Sequence, residues 1–147
     1  MMGDFALDLK KWTDKAQSNT DTLVREVVIE LGTRIVERSP VGNPDLWQSP
    51  PPPGYVGGRF RANWQHGFNE RPQGAIDSID ASGQASINAI TQGAMASPAA
   101  GMHYIANNLP YAMALEEGHS TQAPHGMVAL AVVDLGGSVA SEAAKLK

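Results

Sequence analysis

A chain of 147 residues, 42% of them hydrophobic, has room for one domain with a modest core. Its formal net charge of −4 argues against a dedicated nucleic-acid binder, which needs surplus Lys and Arg to neutralise phosphates, although a local basic patch stays open. The lack of cysteine excludes disulfides, thiolate metal sites and cysteine nucleophiles, and no apolar run nears the roughly 18 to 20 residues of a membrane helix.

The opening Met1-Met2-Gly3-Asp4-Phe5 has no basic region leading into an apolar run, so no signal peptide is expected and the chain reads as cytoplasmic in origin. Aromatic residues are only 6%, against 15 Gly and 10 Pro. That balance predicts a small core with long, shaped loops that neighbours in an assembly help to complete.

Two amphipathic helices are predicted first. Phe5, Leu9, Trp12 and Ala16 recur at helical spacing, and Ser18-Asn19-Thr20-Asp21 offers several side chains able to cap a second helix. In that second helix, Thr22 to Arg38, Leu23, Val27, Leu31 and Ile35 form an apolar row broadened by Val24 and Val28, and Pro40 ends it. From Ser39 to Gly58 no periodicity survives. Pro40, Pro44 and the run Pro50 to Pro53 favour extended backbone, and Gly54, Gly57 and Gly58 punctuate it. A loop of roughly twenty residues suggests a role of its own. Its aromatics, Trp47 and Tyr55, either pack the loop onto its own domain or anchor it on a neighbouring subunit.

Phe60, Ala62, Trp64, His66 and Phe68 then alternate with Arg59, Arg61, Asn63, Gln65 and Gly67, which predicts a half-buried strand with a polar, partly basic second face. A short helix is expected from Ser82 to Ala96 and a second strand over Met102 to Asn107. Pro110 suits the first turn of another short helix, Tyr111 to Glu117, with Gly118 as its stop. Val128, Val132, Leu135 and Val139 predict a C-terminal helix that weakens at Gly136-Gly137 and gives way to a frayed tail over 140–147. The sum is a single α+β domain over 1–147. A small, largely antiparallel sheet packs against the long helix Thr22 to Arg38, with further short helices and a C-terminal one.

No pattern for catalysis or a cofactor emerges. His119 and His125 stand alone without a second short-spaced pair, Glu116-Glu117 lacks an opposing acid, and Ser120 lies in no nucleophile elbow. Gly57-Gly58-Arg59 lacks the spaced glycines and Lys-Ser/Thr of a phosphate loop. The proline run also fits a ligand for a groove-binding module, although a rigid spacer is its commoner use.

Two blocks are more specific. One runs Tyr104-Ile105-Ala106-Asn107-Asn108-Leu109-Pro110-Tyr111-Ala112, Leu115-Glu116-Glu117-Gly118-His119-Ser120 and Gln122-Ala123-Pro124-His125-Gly126-Met127-Val128. The other holds Ser39-Pro40-Val41 and Gly58-Arg59-Phe60-Arg61-Ala62-Asn63-Trp64. In order and spacing they resemble the small tail-completion or neck proteins of long-tailed bacteriophages over about residues 20 to 135. The loop before Gly58 departs from that family in being longer and richer in proline.

The resemblance implies a virion structural protein at the head–tail junction, assembled in the host cytoplasm and neither an enzyme nor a membrane protein. It implies self-association in a ring, six-fold by analogy with the tail tube, next to tail-terminator, tail-tube and head–tail connector proteins, with genomic DNA passing nearby. A tail-terminator or connector subunit is the close alternative, and a host-directed binding module a more distant one. The expected contact residues are Trp47 and Tyr55 in the long loop, Arg59 and Arg61 on the polar strand face, and Glu116, Glu117, His119 and Gln122 around the last turn.

Overall fold

The structure, a computed structural model, describes residues 2–43, 45 and 48–145, with side chains for 10–11, 13–43, 45 and 48–136. Its elements run α1 (Met2–Arg38), α2 (Arg59–Ala62), β1 (Trp64–Phe68), α3 (Gln84–Ala96), β2 (His103–Asn107), α4 (Ala112–Glu116) and α5 (Val128–Lys145). This is the mixed architecture expected: a long N-terminal helix, a small antiparallel sheet and a C-terminal helix.

Three local expectations fail, each for an identifiable reason. The two opening helices are one continuous helix, α1. The polar run at its middle does not cap, because its hydroxyls bond backward along the helix. Thr20 donates from Oγ1 to the Ala16 carbonyl at 3.0 Å and Thr22 to that of Ser18 at 2.9 Å, while Gln17 donates to Asp21 one turn on at 2.9 Å.

The strand predicted from Arg59 to Phe68 begins only at Trp64, and the residues before it form the helical turn α2. Gly58 sits at φ +121° directly against the backbone of Ala81, a conformation closed to residues with a side chain. Its carbonyl accepts the Ala62 N–H at 3.1 Å, starting the turn. Asn63 then stops it from a fully buried position, donating to the carbonyls of Arg59 (2.7 Å) and Ile76 (3.1 Å) and accepting the Ile76 N–H (2.7 Å). Finally, α5 runs through Gly136-Gly137 to Lys145, so the expected weak point and most of the expected frayed tail are helical.

The two strands pair antiparallel, Trp64 opposite Asn107 and Phe68 opposite His103. Helix α3 bridges the sheet and α1, and α5 covers α1 from another side. Gly32 permits the close approach of α1 to its neighbours: a Cβ there would meet Ile90 Cγ2 at 2.7 Å and Ile105 Cδ1 at 3.4 Å. The core gathers Ile35 and Val36 of α1, Phe60, Trp64, Ile90, Leu109, Ala123, Met127 and Ala131. Full burial of side chains such as Ile35, Ile90 and Met127 contributes about 1.5–3 kcal/mol each. One buried polar link crosses this core. Trp64 donates its indole N–H to Ser39 Oγ at 2.8 Å, and that hydroxyl donates to the Ile35 carbonyl at 2.7 Å.

Candidate interface groove

The turn α2, the start of the proline loop and helix α4 converge on an open groove of about 380 Å³. It is lined by Pro40, Gly42, Tyr55, Gly58, Arg59, Phe60, Tyr111 and Leu115. The buried Phe60 ring forms its base, 5.7 Å from Trp64 edge-on and 6.0 Å from Tyr111 between ring centres. Tyr55 and Tyr111 stand at its edges, 38% and 42% exposed. Partial burial pushes the Tyr111 phenol above its ordinary pKa, with the Arg59 charge opposing and Tyr55 adding to the rise. All three groups therefore share one field. Aromatic rings with hydroxyls at the rim and a guanidinium beside them are the chemistry of protein–protein anchor sites.

Of the residues singled out in the sequence, Tyr55 and Arg59 meet in this groove. Trp47 lies outside the described residues. Arg61 is directed inward. Its guanidinium donates to the carbonyls of Ser39 (2.8 Å), Ala81 (2.9 Å) and Glu37 (2.9 Å), tying the C-terminal end of α1 to α2 and to the approach to α3. The basic strand face expected from Arg59 and Arg61 is therefore divided, because the helical turn sends the two side chains to different tasks.

The last turn behaves similarly. Glu116 reaches across to the start of α5, its carboxylate accepting the N–H groups of Met127 (2.9 Å), Val128 (3.0 Å) and Ala129 (3.0 Å). Burial pushes its pKa up, but the three backbone N–H bonds outweigh that and hold it below the ordinary carboxylate value. Gln122 is tied to the other end of the long loop, accepting the Val41 N–H at 3.1 Å and donating to the Val41 carbonyl at 2.7 Å. A single side-chain amide thus acts as a strand neighbour would. Glu117 and His119 are exposed beside these fixtures, following the left-handed stop at Gly118, φ +92°.

Tyr111, Phe60 and Leu115 complete the groove without having been expected there. Tyr111 and Leu115 were visible as one helical turn apart, but their approach to Phe60 depends on the pairing of β1 with β2, which no local pattern encodes. A second open hollow, about 360 Å³, lies between β2, α4 and α5 and includes Trp64, Tyr104, Met113 and Met127. Among the described residues no three His, Asp or Glu side chains gather as metal ligands, and no helix is long and apolar enough to cross a membrane. No family model, curated protein or solved structure matches the chain.

Proposed function

We propose that this chain is a structural subunit of a tailed bacteriophage particle, at the head–tail junction, where it completes the tail as part of an oligomeric ring. The observation that supports the reading is spatial. The two sequence blocks that resemble neck proteins, far apart in the chain, form one structural unit. They meet where Trp64, the first residue of β1, pairs with Asn107 of β2, they share the Phe60–Tyr111 contact, and they are joined where Asn107 donates to the Phe60 carbonyl at 3.0 Å. That unit carries the aromatic groove with Arg59 at its edge. In this reading the groove receives a neighbouring virion protein or the next subunit, and the long loop supplies a second contact through Trp47. Repeated heterologous contacts of this kind close into rings.

The test is electron microscopy of lysates from a phage in which this gene is disrupted, with the intact gene supplied in trans as control. Heads and tails accumulating apart, or joined into defective particles, are expected. Normal infectious particles would sink the structural role and favour a host-directed binding module.

A further inference from the structure

The run Pro50 to Pro53 has no task within its own domain. All four prolines are exposed, and none of them lines the groove, although Tyr55, two residues beyond the run, does. A tight turn separates the two. The Tyr55 N–H donates to the Pro52 carbonyl at 3.1 Å across Pro53 and Gly54, and Gly54 stands at φ +74°, the arrangement of a type II turn. To enter its own groove the run would have to break this turn. The run of a second copy meets no such constraint.

Run and groove are chemically complementary. Four successive prolines favour a polyproline II helix about 12 Å long, which has no internal hydrogen bonds and, being all proline, no N–H groups. Such a segment offers only ring faces and carbonyl oxygens. The groove offers the converse: the aromatic faces of Tyr55, Phe60 and Tyr111, with the Tyr111 hydroxyl and the donor-only guanidinium of Arg59 at its edge. Proline-rich segments dock in aromatic-lined grooves by this match. The charges agree as well. Arg59 is the single charged residue among those lining the groove, and Asp45, which is exposed, is the single charged residue of the sequence between Arg38 and Arg59.

We infer that the groove receives the Pro50–Pro53 run of a second copy of this chain, its prolines lying on the aromatic rings, its carbonyls accepting from Tyr111 and Arg59, and its Asp45 facing Arg59. This deepens the head–tail reading and rests on it for the place of the assembly in the virion. Run and groove are different patches of one surface, so the contact is heterologous, and its repetition closes into a ring.

Two variants of the full chain give the test: Tyr111→Ala, which spoils the groove, and Pro51→Ala/Pro52→Ala, which spoils the run. In sedimentation analysis the parent chain should associate as its concentration rises. Each variant alone should associate roughly tenfold more weakly, with a circular-dichroism melting temperature within a few degrees of the parent. An equal mixture of the two keeps one intact pairing, the run of the first with the groove of the second. It should therefore give dimers of twice 15.6 kDa that do not grow further, at concentrations where neither variant associates alone. Arg59→Glu replaces Tyr111→Ala in the mixture if the latter unfolds, and Asp45→Arg placed in the same chain as Arg59→Glu should recover part of the lost association. A parent chain that is monomeric at every concentration, variants that associate like the parent, or a mixture no stronger than its components would overturn the docking. With heads and tails still accumulating apart in the disrupted phage, any of these results would leave the head–tail reading standing and give the groove to another virion protein.

Discussion

At the scale of single residues, two titratable groups hold parts of the domain in place, and each carries a pH dependence of determined sign. Glu116 is a helix cap supplied from another element. Its pKa is lower in the folded state than the ordinary 4.5. The unfolded chain therefore binds the proton more readily, and the cap's contribution is complete above that value and disappears as pH falls through the folded one. Glu116→Ala should lower stability by about 1–3 kcal/mol at neutral pH and flatten the acid limb of a plot of denaturation midpoint against pH. His66 behaves alike near neutrality. Its Nε2 lies 3.0 Å from His103 Nδ1, and His103 Nε2 lies 3.1 Å from the Pro98 carbonyl, which can accept only a proton-bearing nitrogen. Burial and the neighbouring His103 both hold the His66 pKa below 6.5.

Folding therefore favours neutral His66, and stability falls as pH drops below about 6.5. Thermal unfolding at pH 7.5 and 5.5 should show a lower midpoint in acid, and His66→Gln should shrink the difference. No other charged side chain lies on β1, β2 or α3 near the pair, Tyr104 being the sole further titratable group there. From α1, Arg25 reaches the adjacent Ser97 carbonyl at 3.3 Å.

At the scale of elements, polar side chains decide where helices and strands stop. Asn63 ends α2 by serving three backbone groups, so Asn63→Ala should cost about 2–4 kcal/mol, measured by chemical denaturation, although it removes no apolar surface. The strands, α3, α4 and α5 were readable in the sequence because each carries its own period or punctuation: Ile90 and Ala94 one turn apart, Pro110 before α4, Gly118 after it. What could not be read locally were decisions taken across the chain. Alternation over Arg59 to Phe68 fits a strand, yet Gly58, packed against Ala81 more than twenty residues away, takes a φ of +121° and its carbonyl starts a helical turn. Likewise Ser18 to Asp21 has the composition of a cap, yet Thr20 and Thr22 bond backward to the Ala16 and Ser18 carbonyls and the helix continues. Glu116 and Gln122 read as spare polar residues because their partners, the α5 amides and Val41, are set by the fold.

For the whole molecule, the candidate groove is assembled from both resemblance blocks and from the entrance to the long loop, so its residues can be altered without touching the core beneath Phe60. Arg59→Glu combined with Tyr111→Ala should leave the melting temperature within a few degrees of the parent. Under the proposed head–tail role, the variant supplied in trans should fail to restore joined particles to a phage with this gene disrupted. Trp47→Ala should behave in the same way, and an unfolded monomer would instead assign Trp47 to the core.

The pairing of the two ends of the sequence also bears on synthesis. Ile35 and Val36 are covered by Met127 and Ala131, and Arg38 is held by Asp134 on α5. α1 thus leaves the ribosome long before α5, and its apolar face is closed only once α5 arrives. Native contacts of such long sequence separation slow folding and leave hydrophobic surface open meanwhile. A nascent chain arrested before Met127 should be cut by protease within α1, whereas one extended past Leu135 should resist.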